Sequence, residues 1–144
     1  QYVAQIDRIE SVQRQFTRRI LGMSGLTYAQ RLSLCKLELL ELRRLKRDLV
    51  LVFKIIHSLV NIRFESFFVF APRSGTRGHR YKLLAKGARS NRALFSFAHR
   101  IVNAWNFLPP DVVDCNTLTA FRGTLDTISI SLCRFLRGRA SRDR

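Results

Sequence analysis

Acidic side chains are scarce in this chain. Ten Asp plus Glu stand against 26 Lys plus Arg, and no acidic residue occurs from Ser66 to Pro110. Clustered carboxylates that could hold metal ions for phosphoryl transfer are therefore missing from the middle of the sequence. Asp111 and Asp114, just beyond it, have no nearby Glu-x-Lys partner, so a nuclease reading fails too. Only three cysteines occur, Cys35, Cys115 and Cys133, far apart and odd in number. That pattern excludes a disulfide framework and points to a reduced, intracellular setting in cytoplasm or nucleus. No Cys-x-x-Cys pair occurs, and His57, His79 and His99 supply no second half of a zinc site, so no metal is expected. Long apolar runs are absent as well. The longest, Leu49 to Ile56, is broken by Lys54, and the first thirty residues lack a signal-peptide core. No membrane insertion is expected. The loop from Pro72 to Gly78 lacks the Gly-Lys-Ser/Thr ending of a Walker loop, which removes nucleotide hydrolysis, and no cofactor is expected. The chain starts at Gln1 rather than Met, and is expected to be a piece of a longer protein.

What is abundant is positive charge. The net charge of +16 is more than solubility requires and strains any compact state by self-repulsion. A polyanion relieves such strain. Nucleic acid leads, because phosphate neutralisation releases counterions and rewards clustered Arg and Lys. An anionic membrane surface is second, and a basic surface without a specific partner is the bland alternative. The charge concentrates in Thr76–Pro110, where Arg77, Arg80, Lys82, Lys86, Arg89, Arg92 and Arg100 fall among glycines and a helix ending at Trp105-Asn106. These are the expected phosphate-contacting residues, with His79 and Asn91 orienting the loop or touching a base. Backbone amides and the guanidiniums of Arg73 and Arg77 are suited to cradle a phosphate.

A hydrophobic fraction of 47% in 144 residues allows one domain with a real core. The periodicity predicts a mainly α, small helical domain over residues 1–133 with one long central helix and at most a short β-hairpin, followed by a loose basic tail over 134–144. Ile6, Ile9, Val12, Phe16 and Ile20 make the apolar stripe of a first helix whose back is basic. Gly22 and Gly25 punctuate its end, and Thr27-Tyr28-Ala29-Gln30 reads as a capping box before a short helix. The central helix is predicted from Glu38 to Leu59 on Leu42, Leu45, Leu49, Val52, Phe53, Ile56 and Leu59. Its Arg43-Arg44-Leu45-Lys46-Arg47 run is a nuclear-import signal, a nucleic-acid stripe or a solvated helix face. Asp48 is placed one turn from Arg44 for a weak ion pair. Phe64, Phe67, Phe68 and Phe70 are read as core packing rather than base stacking. Arg80 to Leu84 forms a short strand that pairs with them, a helix runs from Leu94 to Phe107, Pro109-Pro110 stops it, and Asn116 or Thr117 caps a last helix.

The order of IESVQRQFTRRILG, YAQRLSLCKLELLELRRLKRDLVLVFKIIHSL, TRGHRYKLL, ARSNRALFSFAHRIVNAWNFLP and TLTAFRGTLD resembles the region after the polymerase domain in jockey-like non-LTR retrotransposon reverse transcriptases. The resemblance covers Ile6 to Ile128. It implies a parent with an apurinic-type endonuclease and a reverse transcriptase, engaged in target-primed reverse transcription. Neither catalytic part is present, and no Tyr/Phe-Ala-Asp-Asp motif occurs, so this chain is expected not to be an enzyme on its own. The matching Arg77-Gly78-His79, Arg89-Ser90-Asn91 and Phe97–Pro109 segments imply a nucleic-acid-holding role after the polymerase, with RNA, DNA and the upstream polymerase domain as partners. The competing expectations are a structural module that packs on that polymerase, whose absence leaves apolar surface uncovered, and a decayed element's fragment without selected function.

Overall fold

The structure, a computed structural model, describes residues 2–72, 78–85 and 97–140. It is mainly helical, with seven helices and a two-stranded antiparallel sheet among the described residues. The chain divides into two compact units, Gln1–Arg44 with Leu136–Arg144, and Leu45–Phe135.

In the first unit, α1 spans Tyr2–Arg18 and α2 spans Tyr28–Leu34. The turn between them uses Gly22 at φ +79°, a conformation that glycine enters without a Cβ penalty. Gly25 has no such requirement. The capping box forms as its residue types dictate: the Thr27 hydroxyl accepts from the Gln30 amide N–H at 3.3 Å, and Gln30 Oε1 accepts from the Thr27 N–H at 2.9 Å. Lys36, at φ +52°, closes α2, with the Leu37 N–H returning to the Leu32 carbonyl at 2.9 Å.

The apolar stripe of α1 does not become a buried face. Val12 and Phe16 are 67% and 65% exposed, and Ile9 is exposed as well. Glu10, Gln13 and Thr17, offset along the same helix, turn inward instead, with Glu10 and Thr17 buried. The reason lies in what they meet. Arg31 of α2 is buried and needs acceptors, which Thr17 Oγ1 at 3.2 Å and the Leu26 carbonyl at 2.5 Å supply. Glu10 accepts from the Tyr28 hydroxyl in a short hydrogen bond and from the Leu40 N–H at 2.9 Å. Gln13 Nε2 donates to the Tyr28 hydroxyl at 3.1 Å and to the Glu38 carbonyl at 3.0 Å. Leu40 opens α3, so Glu10 satisfies an orphan donor and places negative charge where the helix dipole favours it. Burial and the bond to Glu10 hold the Tyr28 phenol above its ordinary pKa.

The second unit takes most of α3 (Leu40–Ile56), the hairpin β1 (Phe68–Phe70) and β2 (Leu83–Ala85), α4 (Phe97–Phe107), α5 (Pro110–Val113), α6 (Leu118–Thr127) and most of α7 (Ser129–Ala140). Leu49, Val52, Phe53, Phe68, Leu83, Ile101, Trp105, Phe121, Leu125 and Leu132 are all buried. Phe53 stacks on Phe121 with centroids 4.4 Å apart, and Trp105 lies 6.0 Å from Phe121. Helix α3 ends before Leu59 because Ser58 takes φ +54° and the Leu59 N–H turns back to the Lys54 carbonyl at 2.8 Å. Leu59 is consequently exposed and Ile55 is buried, a correction to the predicted stripe. Pro110 opens α5 at a position where a missing N–H costs nothing, and Thr117 caps α6 by accepting from the Ala120 N–H at 3.2 Å. Where a loose tail is expected from Arg134, helix α7 continues to Ala140; residues 141–144 lie outside the described part.

Candidate functional site

Of the basic segment the structure describes residues 78–85 and 97–110, and the first stretch is fastened to the end of α4. Trp105 and Asn106 do the fastening. Trp105 is fully buried and its indole N–H donates to the Tyr81 carbonyl at 2.8 Å. Asn106 Oδ1 accepts from the Leu83 N–H at 2.8 Å while its Nδ2 donates to the Leu83 carbonyl at 2.9 Å, as a neighbouring strand would. On the other side, β2 pairs with β1 in the register Phe68↔Ala85, Val69↔Leu84, Phe70↔Leu83, and the Ala71 N–H extends the pairing to the Lys82 carbonyl at 2.8 Å. The carbonyls of residues 81, 82 and 83 and the Leu83 N–H are thus engaged, which fixes the course of the backbone here.

His79 is the buried anchor of this arrangement. Its ring meets Trp105 edge-on at 6.0 Å, and its Nε2 lies 3.0 Å from the Trp105 carbonyl, so Nε2 carries the proton and donates. Nδ1 has no hydrogen-bond partner among the described residues. Burial drives the imidazole below its ordinary pKa; the Trp105 carbonyl opposes that shift, Lys82 adds to it and Asp114 opposes it. Of the two roles expected for His79, orienting the loop fits this position, whereas a ring only 4% exposed is not presented to a base. Gly78 precedes it at φ +130°, and a Cβ there would stand 2.5 Å from Lys82 Cε. The backbone conformation is what favours glycine here, since the end of the flexible Lys82 side chain can move aside for a Cβ.

Arg80 is an exposed cation of this stretch. Its side chain is 65% exposed, its guanidinium sits 4.9 Å from the Tyr81 ring centroid, and its Nε is 3.4 Å from Asp114 Oδ1. Arg100 contrasts with it. At 17% side-chain exposure it donates from Nη2 at 2.6 Å and from Nε at 3.2 Å to Oδ2 of an equally shielded Asp48. Asp48 therefore pairs with Arg100 rather than with Arg44, and Arg100 stands in the scaffold rather than among the open cations. The structure brings His79, Arg80 and Lys82 together at the hairpin. Arg77, Lys86, Arg89, Asn91 and Arg92, together with the phosphate-cradle residue Arg73, lie outside the described residues.

The phenylalanine segment is divided. Phe68 enters the core, as expected, but Phe67 and Phe70 are exposed. Phe70 lies 6.3 Å from Tyr81, stacks on Phe64 at 4.5 Å, and Tyr81 lies 6.4 Å from His57. Sequence reading overlooked this row because His57 and Tyr81 are 24 positions apart and meet only when the hairpin folds back. The available signal was period two: Phe68 and Phe70 are separated by one residue, yet the strand is too short to bury both.

Among the described residues no three His, Cys, Asp or Glu side chains converge to hold a metal ion, and no helix is long and apolar enough to cross a membrane. Compared with family models, with curated proteins and with solved structures, the chain finds no match.

Proposed function

We propose that this chain is a noncatalytic nucleic-acid-binding region of the kind that follows the polymerase in jockey-like retrotransposon reverse transcriptases, working inside the cell. It grips RNA or DNA by phosphate contacts from Arg80 and Lys82, joined in sequence by Arg77, Lys86, Arg89 and Arg92. One observation carries the reading: Arg80 stands exposed beside Tyr81 and Leu83, whose backbone groups are bound by Trp105 and Asn106. A preorganised cation loses less freedom on meeting a phosphate than one on a loose chain. The Asp114 contact is no obstacle, since an exposed ion pair contributes at most about 1 kcal/mol and is readily exchanged. Phosphate contacts position a ligand without reading its sequence, so weak sequence preference is expected.

The test is fluorescence anisotropy with RNA, single-stranded DNA and duplex DNA across salt, for the native chain and for a variant with Arg77, Arg80, Lys82, Arg89 and Arg92 changed to alanine. The logarithmic salt slope on duplex should be about −0.9 per phosphate neutralised and should shrink by several such steps in the variant. A helical variant that binds as well as the native chain would remove the hairpin from the interface.

A second reading has its own observation. The exposed stripe of Ile9, Val12 and Phe16, beside a shallow cleft lined by Ile6, Ile9, Leu40, Glu41 and Arg44, suits docking on another protein surface such as the polymerase. Serine at these three positions would abolish co-elution with such a partner and leave nucleic-acid binding unchanged.

A further inference from the structure

Four rings follow one another across the second unit, Phe64, Phe70, Tyr81 and His57, with centroid separations of 4.5, 6.3 and 6.4 Å. Phe64 and Phe70 are stacked on one another, at an interplanar angle of 24°. The other two junctions are different. Phe70 and Tyr81 are tilted by 50°, and Tyr81 and His57 by 56°, so these rings do not cover each other's faces. Phe70 is 44% exposed and His57 is also exposed. The row is underpinned rather than loose: His57 rests on buried Phe53 at 4.1 Å, and the backbone of Tyr81 is tied to Trp105.

A row of rings that is exposed at Phe70 and His57 and half-buried at Tyr81 between them invites something flat and apolar. Its surroundings say of what charge. Arg80 lies against the Tyr81 ring with its side chain 65% exposed and 3.4 Å from Asp114, Arg63 and Glu65 on either side of Phe64 are both exposed, and the sequence from Phe67 to Pro110 holds eight basic residues and no acidic one. Flat rings attached to a regularly spaced anion describe the bases and phosphates of nucleic acid. In a duplex the base faces are hidden in the stack, so only an unpaired strand can use the row. A guanidinium plane is itself a platform on which a base stacks, and its edge still donates to phosphate.

We infer that the row Phe70, Tyr81 and His57, with Arg80 above Tyr81, is a base-stacking surface for single-stranded nucleic acid. This rests on the phosphate-gripping reading above and narrows its ligand from any nucleic acid to unpaired RNA or DNA. Arg80 links the two roles, offering charge to the backbone and a face to a base. Sequence tolerance follows, since every base has a π-face.

The experiment compares three probes of about 16 nucleotides, the size of a large single-strand site: an oligothymidylate, an abasic strand of the same length, and a duplex. Anisotropy with the full native chain at fixed salt should show the oligothymidylate bound at least about tenfold more tightly than the abasic strand, since one or two stacked bases are worth that much. Tyr81→Ala and Phe70→Ala should each reduce this base-dependent advantage by about fivefold or more, leaving abasic binding and its salt slope unchanged, and Tyr81→Trp should restore it. Equal affinity for the oligothymidylate and the abasic strand would overturn the inference while leaving the phosphate grip standing. Absence of binding to all three would overturn both. The native comparison needs no variant, so misfolding of Tyr81→Ala would not shelter the idea.

Discussion

Where α1 meets α2, the buried side chains include Glu10, Thr17 and Arg31, joined through Tyr28 and Gln13, with Leu32 beside them. Where α4 meets the hairpin and α6, they are Trp105, Leu83, Phe68 and Phe121. The two units solve one problem with different materials. In the second, area removed from water supplies the driving force, and a few hydrogen bonds set direction. In the first, a short helix brings an arginine and a tyrosine inward, so the facing helix must bring acceptors, and its apolar stripe is left outside. A polar interior of that kind stands only if every member is satisfied.

The largest effect expected from breaking this contrast is in the second unit. Trp105→Ala removes a fully buried ring and the indole donor to Tyr81, and should destabilise by about 3–5 kcal/mol. Chemical denaturation followed by far-UV circular dichroism measures it. A loss below about 1 kcal/mol would mean that the aromatic core is not the centre of that unit's stability.

In the first unit the matching change is Glu10→Ala. It takes the acceptor from both the Tyr28 hydroxyl and the Leu40 N–H, and should destabilise by about 1–3 kcal/mol, chiefly through the groups left unpaired. Tyr28→Phe should cost less than Glu10→Ala, because the carboxylate keeps Leu40. Amide hydrogen exchange in α2 reads both. Were the order of the two reversed, the carboxylate would not be the hub of the network.

Legibility in sequence divides along the same line. Helices α1 to α4 and α6, the Thr27 capping box and the hairpin's approximate place follow from local pattern, and the structure carries each of them, whereas α5 and α7 were not expected. Local pattern is silent on which face of α1 packs, because period 3.6 locates an apolar stripe without naming its partner. Ser58 and Lys36 at positive φ were equally illegible, since neither residue type advertises a left-handed turn. At the candidate site, the basic composition is plain in sequence. The separation of Arg80 from Arg100 is not: Asp48 is 52 positions from Arg100, and only folding makes them a pair. The ring row was hidden for the same reason, its members being drawn from the end of α3, the turn before β1, β1 itself and the approach to β2.

The mildest prediction uses pH to pull the two units apart. Tyr28 in the first unit has its folded pKa raised above the unfolded value of 10.0, by burial and by its bond to Glu10. The stability it contributes is complete below pH 10 and is lost as pH rises through the folded value. His79 in the second unit is shifted the other way, below 6.5, chiefly by burial. Its contribution is complete above pH 6.5 and is lost as pH falls toward the folded value, because the unfolded chain takes up the proton first. Alkali should therefore loosen the first unit and mild acid the second. Trp105 is the single tryptophan of the chain, so its emission follows the second unit alone, while exchange of α2 amides follows the first. Tyr28→Phe should flatten the alkaline limb and His79→Gln the acid one. If mild acid disturbed α2 and left Trp105 emission unchanged, the assignment of His79 as the neutral anchor beneath the hairpin would have to be given up.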